Sequence, residues 1–252
     1  MPLPQPQIPQ ITSIIPGDES TYPKTSTIDT NITISPIPSM GLGVIATRDL
    51  PAGTTWYIAK EDAYLPIPQK TFSAIRLAEK KSKEWKLLRE FIEMVSVYSS
   101  RWNTMNVSLD NIRFLNHTIV EGEGKDGVGN VIIGGTGVAE DTLVGWSAWT
   151  NKDVKAGEQL FVNYHGFTIC PWANSCEKFL GGEETGRLDF EVVDRETVFE
   201  EPVEILLTRA QFEVYVHSVL EREIDKALLT VLAKWGVWDE GRGVWAVRVP
   251  VD

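Results

Sequence analysis

The chain has 252 residues, with 35 Asp and Glu against 24 Lys and Arg, a formal net charge of -11 and two cysteines. A hydrophobic content of 42%, with 10% aromatic residues, is enough for a buried core in one or two domains; two cysteines exclude a disulfide scaffold, and no apolar run approaches the roughly 18 to 20 residues of a membrane helix. The acidity argues against a nucleic-acid partner and is unevenly spread, residues 1–170 holding 18 acids and 15 bases (-3) and residues 171–252 holding 17 acids and 9 bases (-8).

The first 40 residues are rich in Pro, Ser and Thr, which predicts an irregular leader over 1–31 that ends in an edge strand at Asn31-Ile32-Thr33-Ile34. Its start lacks the basic and apolar regions of a secretory signal, so the expectation is an intracellular chain. Gly41-Leu42-Gly43-Val44-Ile45-Ala46 reads as a strand, residues 49–53 as a turn and 54–58 as a second strand. The same cassette recurs once, with a strand at 146–149, a turn at 152–157 and a strand at 159–164.

Between the cassettes, Phe72, Ile75, Trp85, Leu88, Ile92 and Val95 recur at helical spacing, predicting a helical stretch over 69–98. Its polar face carries seven bases and two acids between Lys70 and Arg89, a pattern that suits a solvated face. Eight glycines in the 24 residues 122–145 read as a long loop and hairpin. Near the end, Thr208 and Gln211 form a capping box before the apolar stripe Phe212, Val216, Leu220, Ile224, Ala227, Val231 and Trp235, and Gly236 supplies a stop. That predicts a second long helix.

Several motifs fail on context. Gly41 to Ala46 matches G-x-G-x-x-A, but Pro36 and Pro38 break the preceding strand and Pro51-Ala52-Gly53 is a turn where a dinucleotide fold needs a helix. Gly124-Lys125-Asp126 lacks the Ser or Thr and the glycine spacing of a P-loop. Cys170 and Cys176 have no further cysteine partners and read as reduced thiols, and His165 and His217 stand alone. No metal site is expected.

Taken in chain order, three elements form a pattern: Gly41-Leu42-Gly43, then Ile112-Arg113-Phe114-Leu115-Asn116-His117, then Gly157-Glu158-Gln159-Leu160-Phe161-Val162-Asn163-Tyr164. This order resembles the SET-domain family of S-adenosylmethionine-dependent lysine methyltransferases, whose landmarks read G-x-G, R-F-x-N-H and G-E-E-L-x-x-x-Y. The flank from Gly43 to Gly53 is similar to the family's opening G-V-F-A-T-R-D-I-P-x-G. The resemblance covers about residues 32–170. It implies an α+β fold with a mainly β core of small sheets, a helical insert at about 69–98 and an acidic C-terminal helical region over 171–252.

By that resemblance, the backbone at Leu42, Gly43 and Val44 would lie against the methionine and ribose end of S-adenosylmethionine. Arg113 and Phe114 would support the cofactor wall, Asn116 would hold the methionine amine and His117 the adenine. Tyr164 would sit at the rim of a lysine channel as the catalytic hydroxyl, and Phe167 would cover the adenine. Trp56, Tyr57, Tyr98 and Trp102 are candidates for the channel's aromatic wall, with ordinary core packing the simpler account of each. The implied function is protein-lysine N-methylation, and the acidic C-terminal third suits a basic protein or peptide such as a histone-like tail.

The pattern also departs from the family. The usual N-H-S-C-x-P-N turn is replaced by Asn116-His117-Thr118-Ile119-Val120, and Asn130 would serve as the returning asparagine after an insertion of about eight residues. The cysteine-rich zinc module is not intact. These departures keep two other readings open: a SET fold turned to small-molecule metabolism, such as a cyclase, or a non-catalytic binding module.

Overall fold

A computed structural model of the chain describes residues 31–38, 41–59, 61–99, 102–117, 129–135, 146–163, 170, 172–173, 199–219 and 222–251. Most of the leader and most of the acidic 183–204 stretch therefore lie outside the described residues. Among the described residues the architecture is α+β, built from four small sheets and four α-helices.

The first strand, β1 (Ile32–Ile37), pairs antiparallel with β2 (Gly41–Ala46). Its burial alternates over Ile32 to Ile34, as a half-covered edge strand requires. A five-stranded sheet follows the order β3 (Thr55–Ile58), β9 (Trp146–Thr150), β8 (Val131–Gly135), β10 (Phe161–Val162), β7 (Asn116–His117). β8 and β9 form the hairpin expected of the glycine-rich region.

The two strand-turn-strand cassettes pair with each other about a local pseudo-two-fold axis. Leu50 and Val154 exchange both backbone hydrogen bonds at 2.8 and 2.9 Å. The Asp153 carboxylate accepts from Ala52 N at 2.9 Å, and the Asp49 carboxylate accepts from Ala156 N at 3.0 Å. Gly53 and Gly157 close the two turns at φ of 81° and 85°, the left-handed conformation that favours glycine. A recurrence visible in the sequence is therefore a recurrence in space.

Each long helical stretch divides in two. The first gives β4 (Tyr64–Pro68), α1 (Gln69–Ala78), α2 (Lys83–Val95), β5 (Ser96–Ser99) and β6 (Thr104–Ser108), with sheet order β4-β6-β5. The break comes at Ser82, whose hydroxyl accepts from Trp85 N and restarts the helix. The C-terminal region is likewise more than a helical appendage. It runs β11 (Glu204–Thr208), α3 (Arg209–Ser218), α4 (Ala227–Trp235), β12 (Gly236–Asp239) and β13 (Val244–Arg248), with sheet order β11-β13-β12. The Thr208/Gln211 capping box is present at the start of α3, with both reciprocal bonds made. Gly236 ends α4 with φ of -75°, leading straight into β12.

Among the described residues apolar burial separates into two cores. One lies under β1, β2 and the five-stranded sheet, and includes Val44, Leu50, Trp56, Tyr57, Phe114, Leu115 and Leu160. The other joins the helical insert to the C-terminal region. There Trp85 packs on Trp235 with ring centroids 5.3 Å apart, Phe91 on Tyr215 at 5.7 Å and Phe72 on Trp172 at 5.5 Å.

Candidate functional site

Strand pairing draws the three sequence elements together. β10 lies between β7 and β8, parallel to both, with Phe161 opposite Asn116, Val162 opposite His117 and Val162 opposite Val131. The segment just before β10 is also joined to β2, Leu160 N donating to Val44 O at 2.8 Å. The Asn116 carboxamide donates to Leu42 O at 2.8 Å, bringing the second element onto the first.

Asn130, the proposed returning asparagine, is fixed on the third element. Its side-chain nitrogen donates to Gln159 O at 2.8 Å and its oxygen accepts from Phe161 N at 2.6 Å. One amide thus satisfies two backbone groups of the approach to β10. Gly129 beside it has no room for a side chain, since a Cβ there would stand 2.3 Å from Phe161 O. Tyr164 and Phe167 lie outside the described residues, as does Cys176, and for His117 only the backbone is described.

The bare Cα of Gly43 serves packing within the chain. A Cβ at Gly43 would stand 2.5 Å from the Gln159 amide nitrogen and 2.7 Å from Ile37 Cγ1. Gly41 takes φ of 82° with open space around it. Val44 is fully buried, whereas Leu42 is partly buried against the same core.

The Arg113 guanidinium is held by groups of the chain itself. Its Nη1 donates to Leu109 O and Asp110 O, both at 2.9 Å, and to Ser218 Oγ at 2.7 Å; its Nη2 donates to Ser218 O. The guanidinium lies over the Phe114 ring, 4.7 Å from the centroid, a cation–π arrangement. Burial holds its pKa below the ordinary arginine value, with Tyr215, Asp225 and Asp110 opposing that shift. Asp110, itself buried, caps the short 3-10 helix Asn111–Phe114 through Ile112 N at 3.2 Å. This device was invisible in the sequence, since its partner Ser218 is 105 residues away.

The aromatic candidates do not share one wall. Trp56 and Tyr57 are in the core beneath the sheets and Tyr98 packs against the other core. Tyr57 OH donates to Asp110 Oδ2 at 3.1 Å and approaches Tyr64 OH at 3.4 Å. Burial foremost, and then the Asp110 carboxylate, push the Tyr57 phenol well above its usual range, so it stays protonated. Tyr98 stacks edge-on against Trp172 at 5.9 Å and donates to Asn103 Oδ1 at 3.0 Å. Trp102 is partly exposed in the adjoining turn. Cys170 is fully buried, and burial pushes its thiol up to about 12. Among the described residues no cluster of His, Cys, Asp and Glu is arranged to hold a metal ion.

The chemistry at Asn116 fits an amino group. With its nitrogen on Leu42 O, the carboxamide presents an acceptor oxygen beside a backbone carbonyl that retains a second lone pair. An ammonium needs acceptors of this kind.

No family model and no curated protein matches the chain. Among solved structures, a Plasmodium falciparum protein assigned as a histone methyltransferase is similar over 54% of this chain and 95% of its own, at 12% identity and a TM-score of 0.34. A humanized mutant of Chaetomium thermophilum Polycomb Repressive Complex 2 bound to the inhibitor GSK126 is similar over 57% of this chain, at 18% identity and a TM-score of 0.37. The same complex in an autoinhibited conformation bound to S-adenosylmethionine is similar over 57% of this chain, at 19% identity and a TM-score of 0.37. The match spans only 16% of either Chaetomium chain. The architecture is the α+β class of small sheets expected from the sequence, and β10 between β7 and β8 sets the second and third motifs side by side.

Proposed function

We propose that the chain is an S-adenosylmethionine-dependent N-methyltransferase acting on a lysine of a basic protein or peptide. The observation that carries this reading is the convergence of three separated motifs, through Asn116 on Leu42 O and β10 between β7 and β8. Asn116 and the carbonyls of β2 would hold the amino end of the cofactor, and Tyr164, two residues beyond β10 in the sequence, would act beside it. When bound, the cofactor supplies an activated methyl group.

The chain's part is to bind, orient and desolvate. A lysine of ordinary pKa about 10.4 is protonated at neutral pH, and removing its proton costs about 5 kcal/mol. A channel that excludes water lowers that cost by disfavouring the ammonium, and alignment of the amine supplies much of the rest. Tyr164 would hold the amine's position by its hydroxyl. The net charge of -11 favours encounter with a basic partner.

The test is mass spectrometry of a panel of lysine-containing basic peptides incubated with the protein and S-adenosylmethionine. A mass gain of one methyl group on lysine, lost in Tyr164→Phe, is the expected result. Cofactor turnover or binding with no peptide modified would move the reading to a small-molecule enzyme. Absence of both would remove it.

A further inference from the structure

Two segments of the chain, 140 residues apart, build the same object. β4-α1-α2-β5-β6 and β11-α3-α4-β12-β13 follow one order of elements and one order of strands. The strands start and stop at corresponding residues: 64–68 and 204–208, 96–99 and 236–239, 104–108 and 244–248. Helices 69–78 and 209–218 correspond in full, and the second helices end together at Val95 and Trp235.

Register and closure agree as well. Tyr64 pairs with Ser108 as Glu204 pairs with Arg248, and Ser96 pairs with Val107 as Gly236 pairs with Val247. Leu109 N donates to Ala63 O at 2.8 Å, and Val249 N donates to Val203 O at 2.9 Å. The last turn of each unit holds one left-handed residue, Asn103 at φ 51° and Gly243 at φ 66°. Side-chain identity within these segments is confined to Phe72/Phe212, Lys86/Lys226, Leu88/Leu228, Val97/Val237 and Val107/Val247. Backbone geometry, not sequence, reveals the relation.

The two units meet as the halves of a symmetric dimer do. Lys83 Nζ and Glu223 Oε1 are 2.6 Å apart, and they occupy corresponding positions. Corresponding residues touch where a two-fold axis passes. α2 also packs on α4. Phe91 packs on Tyr215, and their counterparts Val231 and Ile75 are both fully buried in the same core.

Where the units differ, the second one grips the rest of the chain. Ser218 occupies the position of Ala78, and Gln211 that of Thr71. Gln211 Nε2 donates to Tyr64 O at 2.8 Å, where the first unit begins. Ser218 Oγ donates to Leu109 O, where the first unit ends, and accepts from Arg113 Nη1 at 2.7 Å. An alanine such as Ala78 can make neither bond. Arg113 belongs to the short helix Asn111–Phe114, two residues before Asn116.

We propose that residues 63–109 and 203–249 are two copies of one β-α-α-β-β unit paired as an internal dimer, and that the second copy positions the Asn116 segment through the Ser218–Arg113 clamp. Ser218 and Arg113 are then positioning residues for the candidate site. Only the last step, that Asn116 serves a ligand, rests on the methyltransferase reading.

Hydrogen exchange on the full-length protein without ligand tests the clamp. Ser218→Ala should speed exchange of the 109–117 amides about tenfold relative to the α2 and α4 amides, about what loss of one well-placed hydrogen bond to a charged group allows. Ser218→Thr keeps the hydroxyl and should restore protection, whereas Ala78→Ser in the first copy should leave 109–117 unchanged. A K83C/E223C variant should also cross-link within one chain by a short bismaleimide. Unchanged or uniformly raised exchange in Ser218→Ala, or failure of the intrachain cross-link, would overturn the proposal. So would unaltered S-adenosylmethionine affinity in Ser218→Ala if the wild type binds that cofactor. If the exchange signature appears while the wild type binds no cofactor, the clamp stands and the methyltransferase reading falls.

Discussion

The side-chain nitrogen of Asn116 donates to the backbone carbonyl of Leu42 across 74 residues of sequence at 2.8 Å. One hydrogen bond thus ties the strand β2 to the strand β7, and β10 fixes the same strand from its other side through the Phe161–Asn116 pair. The site is set by backbone pairing, and its side chains are few.

Asn116→Ala removes that bond while leaving the strand pairing in place. We expect a stability loss of about 1 kcal/mol in denaturant unfolding. A loss several times larger would mean that Asn116 holds the sheet itself.

Gly43→Ala should destabilise the chain by about 1 to 3 kcal/mol, because the added methyl would overlap Gln159 and Ile37. Gln159→Ala in the same chain should recover part of that loss. If Gly43→Ala is neutral in stability, internal packing is not what keeps the position bare.

Trp85 is fully buried against Trp235, in the core that joins the insert to the C-terminal region. Trp85→Ala should cost about 3 to 5 kcal/mol. Loosening should appear together in α2 and α4 by hydrogen exchange. Loosening confined to α2 would contradict a shared core.

Lys234 hydrogen-bonds the Glu84 carboxylate at 2.7 Å and is the leading cause that lowers its pKa from 4.5 to about 2. A carboxylate depressed on folding stabilises the native state above its unfolded pKa and loses that contribution as pH falls through the folded value. The stability difference between wild type and Glu84→Gln should therefore shrink between about pH 4.5 and pH 2, and it should be smaller in high salt, since the pair is exposed. A difference that stays constant across that window would show that the ion pair contributes nothing.

Cys170 should stay unreactive in the native state. With its thiol pushed up to about 12 by burial, the thiolate fraction at pH 8 is negligible and access is closed. In a Cys176→Ala background, labelling by a thiol reagent should proceed only as fast as the protein opens. Rapid native labelling would show that the residue is exposed.

Local chemistry was legible in the sequence where a residue type answers a local need. The glycines of the two cassette turns, the capping box at Thr208 and Gln211, and the strand Gly41–Ala46 are of this kind. The helical stretch expected over 69–98 is two helices followed by a strand, and the one long helix expected over 208–235 is broken into two. The breaks rest on Ser82 as an N-cap and on the 222–226 turn, where Arg222 pairs with the buried Asp225 carboxylate and Tyr215 donates to Asp225 O. Neither break carries a proline or glycine to announce it. The duplication of the β-α-α-β-β unit left almost no side-chain trace, because a shared backbone needs only apolar residues at matching places. The clamp at Arg113 was equally hidden, its partners being set by tertiary packing.

The most direct measurement is titration calorimetry of the full-length protein with S-adenosylmethionine, alongside Asn116→Ala. The wild type should bind at one site, and the variant at least about tenfold more weakly, the loss expected for one desolvated hydrogen bond to a charged group. No detectable binding to the folded wild type, or equal affinity in Asn116→Ala, would contradict it.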